Sequence, residues 1–311
     1  MGLTNYPNGL TSFGIPLVGG GLTAPPVTGG HVFWVKSSTG QDAPSNGDSP
    51  DNPFATIDYA IGRCVAGRGD VILVLPGHTE TVSAAGGITF DKAGVIVWGL
   101  GHGTARPTIT LGTVDTATIS VTAANCMLHN CIVDITAFDG IDIGITVAGQ
   151  YFTLSNCYIL GGDSGGQCDA MVATGATTTG TGFRAISNIF QASTTAGVVS
   201  GIDIVGTPDL WEIVGNRFFG VYSGAPVNNE TSNIATNGAI EWNFLENKHA
   251  TALAIDLDSA CTGVIRYNTT WTTADPAGAG VAIDGGSMAE FENYSNSTVD
   301  TSGLLEPVLE T

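Results

Sequence analysis

The chain has 311 residues, 44 of them glycine, with 43% apolar and 12% charged residues; this is too apolar for disorder and suits a β-rich protein with many turns. Nine lysines and arginines face 28 acidic residues, for a net charge of −19, and no basic cluster exists, so neither nucleic acid nor an anionic membrane surface is an expected partner. The length admits one solenoid with extensions or two ordinary domains, and the acidity fits solubility, salt tolerance or binding of a divalent cation such as Ca²⁺.

Residues 1–30 show no periodic pattern. Pro7, Pro16, Pro25 and Pro26 and the run Gly19-Gly20-Gly21 predict an extended arm. Its Tyr6, Phe13, Ile15, Leu17 and Val18 are too few to form a core of their own. The arm is therefore expected to lie on a neighbouring subunit or a larger particle, with packing along its own domain the alternative. The first basic residue is Lys36 and the early apolar stretches are broken by Pro7, Gly14 and Pro16, so no secretory leader is read. No apolar run approaches the ~20 residues needed to cross a bilayer. A soluble protein made in a cytosol is the expectation.

Residues 31–70 predict a first strand (His31-Val32-Phe33-Trp34-Val35), a polar loop over 37–51, and a helix over 53–66. Asn52 and Pro53 are good first residues for that helix, Ile57, Ala60, Ile61 and Cys64 have helical spacing, and Gly67 suits its end. A coil of strands exposes backbone groups and apolar side chains at its open end, and this helix is the expected cap. Apolar runs at 70–77, 88–90, 95–101 and 107–111 continue as strands. The glycine-rich run 99–103 precedes no helix, so no phosphate loop is read from it.

From about residue 126 to 296 one phrase recurs: an apolar residue, an asparagine shortly after, then more apolar residues. Asn130, Asn156, Asn188, Asn216, Asn243, Asn268 and Asn293 mark the copies, 25 to 32 residues apart. Three short strands and three turns need roughly 25 residues, one turn of a parallel β-helix. Runs such as Ala252-Leu253-Ala254-Ile255-Asp256-Leu257 alternate as half-buried strands do, and frequent glycine disfavours helical repeats. The asparagines are expected to stack as a structural ladder, since asparagine tolerates the left-handed backbone of a tight corner. Residues 71–297 are thus assigned to the solenoid, and 298–311 to a tail that caps its far end or meets a partner chain.

Cys131 and Cys157 each follow a marker asparagine and read as stacked small hydrophobes on adjacent turns, with a disulfide the alternative. The six cysteines contain no CxxC pair and no histidine pair has metal-ligand spacing, so no metal site or cofactor is expected beyond a candidate Ca²⁺ role for the acidic face. Asp142, Asp203, Asp256 and Asp284 each follow an isoleucine in mid-coil. Sharing one face, they would suit cation binding or a general acid and base; otherwise they are the outward half of a strand alternation. Arg184, Arg217 and Arg266 fall at different offsets from the asparagines, with Glu212 an expected ion partner of Arg217. Trp211, Tyr222 and Trp271 read as core or turn packing, with stacking platforms for glycan the alternative. No catalytic set is complete, and the sequence leans away from an enzyme.

The run FWVKSSTGQDAPSNGDSPDNPFATIDYAIGRC, followed by GDVILVLPGHTETV, resembles the opening of right-handed parallel β-helix proteins of the pectin-lyase-like superfamily. The first residues, MGLTNYPNGLTSFGIPLVGGG, resemble the N-termini of β-helix structural proteins of tailed bacteriophages. The resemblance implies an all-β, single-stranded right-handed parallel β-helix with an N-terminal capping helix and an extended arm. It further implies a non-catalytic virion structural protein, foremost a capsid-decorating head-surface or head-fibre protein anchored through its arm. Its partners would be copies of itself in a homotrimer, the major capsid protein or other virion proteins, and a host surface glycan, and it would reside on the particle. The alternative on the same resemblance is a tail spike with polysaccharide lyase, hydrolase or glycan-binding activity. The paired Asp-Asp and Arg-x-Lys motifs of similar polygalacturonases are missing here.

Overall fold

The computed structural model describes residues 29–162, 168–175, 180–195, 197–229, 234–272 and 282–295, and the backbone of 10–12, 15–17 and 303–305. The chain winds as a β-solenoid with three long sheets. The first runs from Val32–Val35 to Ala289–Phe291, the second from Thr79–Val82 to Asn293–Ser295, and the third from Ile88–Phe90 to Ile283–Asp284. From Val71–Val74 to Ile283–Asp284 each turn contributes one strand to each sheet in that order, and every pairing along the coil is parallel. At the far end Gly303–Leu305 adds to the second sheet antiparallel, pairing Tyr294 with Leu304.

The short strands follow from the sequence pattern. Ile132–Asp134 has only Val133 turned inward, and Thr153–Ser155 only Leu154. Register then stacks the inward residues in columns. One column holds Leu128, Leu154, Ala185, Ile213, Ile240 and Ile265, and another Val133, Ile159, Phe190, Phe218 and Leu245. Phe190 and Phe218 lie face to face with ring centroids 4.6 Å apart. At ~25 cal/mol per Å², each fully buried large side chain contributes roughly 1.5–3 kcal/mol. The columns therefore hold the coil as one continuous core.

The helix α1 (Ile57–Arg63) seats Ile57, Ala60 and Ile61 on this core at the N-terminal end. It is shorter than the sequence predicts and begins at Thr56 rather than Asn52. Residues 52–54 are drawn into bridges instead: Phe54 pairs with Val35, and Asn52 with Ser49. Carboxylates then fix the new start, Asp42 accepting from the Ala55 and Thr56 N–H groups and Glu80 from the Ile57 N–H. In the N-terminal segment Leu10–Ser12 and Ile15–Leu17 pair antiparallel, a short hairpin where the sequence suggests only an extended arm. Tyr6, Phe13 and Val18 lie outside the described residues.

Candidate functional site

The corner between the first and second sheets positions the marker asparagines, and it splits them into two sets. Asn188, Asn216, Asn243, Asn268 and Asn293 are buried and follow a residue with positive φ. Each side-chain oxygen from Asn216 onward accepts both the backbone N–H and the side-chain N–H of the preceding asparagine, at 2.8–3.1 Å. Each side-chain nitrogen also donates to a carbonyl of the turn before, Asn216 to Ala185 at 2.8 Å. Asn130 and Asn156 stand one residue earlier in register, with φ of 56° and 53° themselves. They bond each other at 3.0 Å. The buried place after them belongs to Cys131 and Cys157, which are free thiols on adjacent turns. Burial raises the Cys157 thiol to about 12, so both cysteines are inert packing.

Three of the four candidate aspartates share a row. Along the third sheet Asp203 pairs with Asn228, Asn228 with Asp256 and Asp256 with Asp284. Asp142 is outside it, because the row continues through Ala173 and Thr146. Partial burial and then Asp284 raise the Asp256 carboxyl above its usual range. Glu290 occupies the inward place of Ile265 and closes the far end of the core, its carboxyl also raised by burial and by Asp284. Among the described residues no group of three or more acidic, histidine or cysteine side chains is arranged to hold a metal ion. Arg184 and Arg266 sit on the first sheet and Arg217 on the second, so none flanks the aspartate row. Glu212 pairs with Arg184 at 2.7 Å, not with Arg217, because the two lie opposite each other in register. Arg217 rests its guanidinium over Phe219, 4.9 Å from the ring centre.

The aromatic expectations divide in the same way. Trp211 and Tyr222 are wholly buried, while Trp271 is 42% exposed. A larger aromatic surface lies at the corner of the last turns, around Asn243, Asn268 and Asn293. Trp242, Tyr267 and Glu292 hold the left-handed corner position, with φ of 58°, 59° and 49°. Two residues on, Phe244, Thr269 and Tyr294 form a parallel row in register on the outer face of the second sheet. Between the rows runs a groove of about 530 Å³. Trp242 is 61% exposed and stacks on Tyr267, ring centroids 4.4 Å apart and 24° between planes. On the other side Arg266, paired with Glu241 at 2.9 Å, places its guanidinium 5.6 Å from the Tyr267 ring centre. The signal was present in the sequence as the residues flanking each marker asparagine: Trp242 and Phe244, Tyr267 and Thr269, Glu292 and Tyr294.

No family model and no curated protein matches the chain. Among solved structures it is similar to ORF18 of Geobacillus virus E2, at 12% identity and a TM-score of 0.45 over 88% of this chain. The chain spans 63% of the length of that viral protein. It is also similar to the GH136 lacto-N-biosidase from Eubacterium ramulus, at 12% identity and a TM-score of 0.36, over 86% of this chain and 68% of that one. A rhamnogalacturonan lyase matches at 15% identity and a TM-score of 0.36, over 86% of this chain and 67% of that one. These are likenesses of fold.

Proposed function

We propose that the protein is a structural component of a tailed-phage virion, a rigid β-solenoid on the head surface that attaches through its N-terminal segment. The observation that carries this reading is the place where the coil starts. Strand Val32–Val35 and helix α1 open the solenoid, and one core runs unbroken from there into the last turns. Among the described residues that core is already built from Phe33 onward, and the opening run, which resembles the N-termini of phage β-helix proteins, is given the attachment role. A coil whose turns are joined by ladders on three sheets is stiff enough to project. Homotrimers and contact with the major capsid protein belong to this proposal as its expected assembly.

Removing residues 2–30 tests it. The truncated protein is expected to keep its far-ultraviolet dichroism and a cooperative melt, yet to be missing from particles produced by a phage carrying the truncation. Normal incorporation would sink the attachment role.

A second reading, a spike that cleaves glycan, is favoured by the aspartate row. Asp256 and Asp284 are one turn apart, ~4.8 Å at the backbone, a spacing at which two carboxyls can act together, and burial with the neighbouring Asp284 raises the Asp256 carboxyl as a general acid requires. It predicts that the purified protein shortens host capsular or lipopolysaccharide glycan and that Asp256→Asn abolishes this with the fold intact. Unchanged glycan length on incubation with wild-type protein rejects it.

A further inference from the structure

The corner groove can be considered independently of the virion reading. The first observation is backbone strain. Upstream, the left-handed corner position is filled by Asn130, Asn156, Ser187 and Gly215, small or polar residues suited to that backbone. In the last turns it is filled by Trp242, Tyr267 and Glu292 instead. A bulky residue held there costs on the order of 1–3 kcal/mol, and such strain collects at binding sites. Packing offsets it only in part, since Trp242 stacks on Tyr267 yet stays 61% exposed.

The second observation is spacing. Phe244 and Tyr294 stand two turns apart on one row with the small Thr269 between them. At ~4.8 Å per turn these two residues are about 9.5 Å apart along the row, so a group centred over Thr269 lies roughly 5 Å from each. A cation is held by an aromatic face within about 6 Å of its centroid.

The third observation is charge. Among the described residues the groove is lined by Glu292 and by no basic side chain, on a chain of net charge −19; Arg217, next to Phe244 in register, turns its guanidinium onto Phe219 instead. Arg266 already rests against Tyr267, so a ring of this wall does hold a cation. Four aromatic side chains and one carboxylate around a slot match a weakly hydrated organic cation better than an anion or a hydrated metal ion.

We infer that the groove between Trp242, Tyr267, Glu292 and the Phe244–Thr269–Tyr294 row binds a quaternary ammonium group of the choline type. The alkyl groups would meet Phe244 and Tyr294, with Trp242 and Tyr267 on the side wall and the Glu292 carboxylate supplying the countercharge.

The test is titration of choline chloride into the full-length protein, followed by tryptophan fluorescence and calorimetry. Its neutral isostere, 3,3-dimethyl-1-butanol, and methyl glucoside are run alongside. Choline is expected to bind at least about tenfold more tightly than the isostere, the scale of a desolvated cation–π contact. Thr269→Phe fills the slot on an exposed position and is expected to abolish binding without altering the melt; Glu292→Gln is expected to weaken it about fivefold. The inference fails if the isostere binds as well as choline, if Thr269→Phe leaves choline binding unchanged, or if methyl glucoside binds and choline does not.

Discussion

A single asparagine in the buried ladder carries more stability than its side chain suggests, because two turns depend on it. Asn216 accepts from both nitrogens of Asn188 and donates to the Ala185 carbonyl. Asn216→Ala strands the Asn188 N–H and the Ala185 oxygen in a dry core, and we expect a loss of about 2–4 kcal/mol in urea unfolding. Asn156→Ala is expected to cost only about 1–1.5 kcal/mol, from the left-handed backbone and the part-buried bond to Asn130, and Asn156→Gly less, since it keeps the backbone and loses only that bond. Equal losses for Asn216→Ala and Asn156→Ala would refute this division. The seven asparagines were legible in the sequence, but their division into two sets was not. Asparagine suits both the left-handed corner and the buried place after it, so the letter alone does not give the register; the inward partners Leu128, Leu154, Ala185 and Ile213 do. His129 adds a pH-dependent term at this scale. It stacks on Trp98 at 3.8 Å, and burial lowers its pKa from 6.5 to about 4. The unfolded chain therefore binds the extra proton between those values, so the contribution is complete above about pH 6.5 and fades as pH falls towards 4. In His129→Phe the melting temperature is expected to lose part of its acid sensitivity in that window.

At the scale of elements, α1 closes the N-terminal end of the coil, and its worth lies in what it covers. Ile61 is 1% exposed and faces the core along with Ile57 and Ala60. Ile61→Ala is expected to cost roughly 2–5 kcal/mol, as large-to-small core changes do. Loosening this cap also uncovers the first turn, so the variant is expected to associate at high concentration, read as added mass by light scattering. A variant that melts like wild type and stays at one mass would show that the cap is ornamental. The existence of this helix and its apolar stripe were readable from the spacing of Ile57, Ala60 and Ile61. Its start was not, because the pull of Val35 on Phe54 and the carboxylates of Asp42 and Glu80 are contacts made across the chain. The aromatic groove was hidden for a related reason: its members are one turn of coil apart, and only the stacking of turns brings them side by side.

Across the whole molecule, parallel stacking turns a periodic sequence into rows, and a row of like charges is a cost the fold must carry. The acidic excess is spread over the surface, but at the far end it concentrates: Asp284 faces Asp256 in register and acts on Glu290 as well. Both neighbours have carboxyl pKa values raised in the fold, so the folded state holds protons that the unfolded chain has already released. The sign follows directly: this end is least stable when pH stands above the raised values, and it regains stability as pH falls through them. Asp284→Asn removes the charge common to both interactions. At pH 7 and low salt it is expected to raise the melting temperature by a few degrees, corresponding to no more than about 1 kcal/mol because the groups are partly solvated. Salt should shrink the gain, since half-molar salt screens charges beyond a few ångströms, and acid should shrink it too, since protonation removes the same repulsion. A hydrophobic or backbone origin would predict a gain that survives both. The same variant separates the two functional readings, for a virion component should tolerate the added stability while a glycan-cleaving spike should lose its acid and base pair.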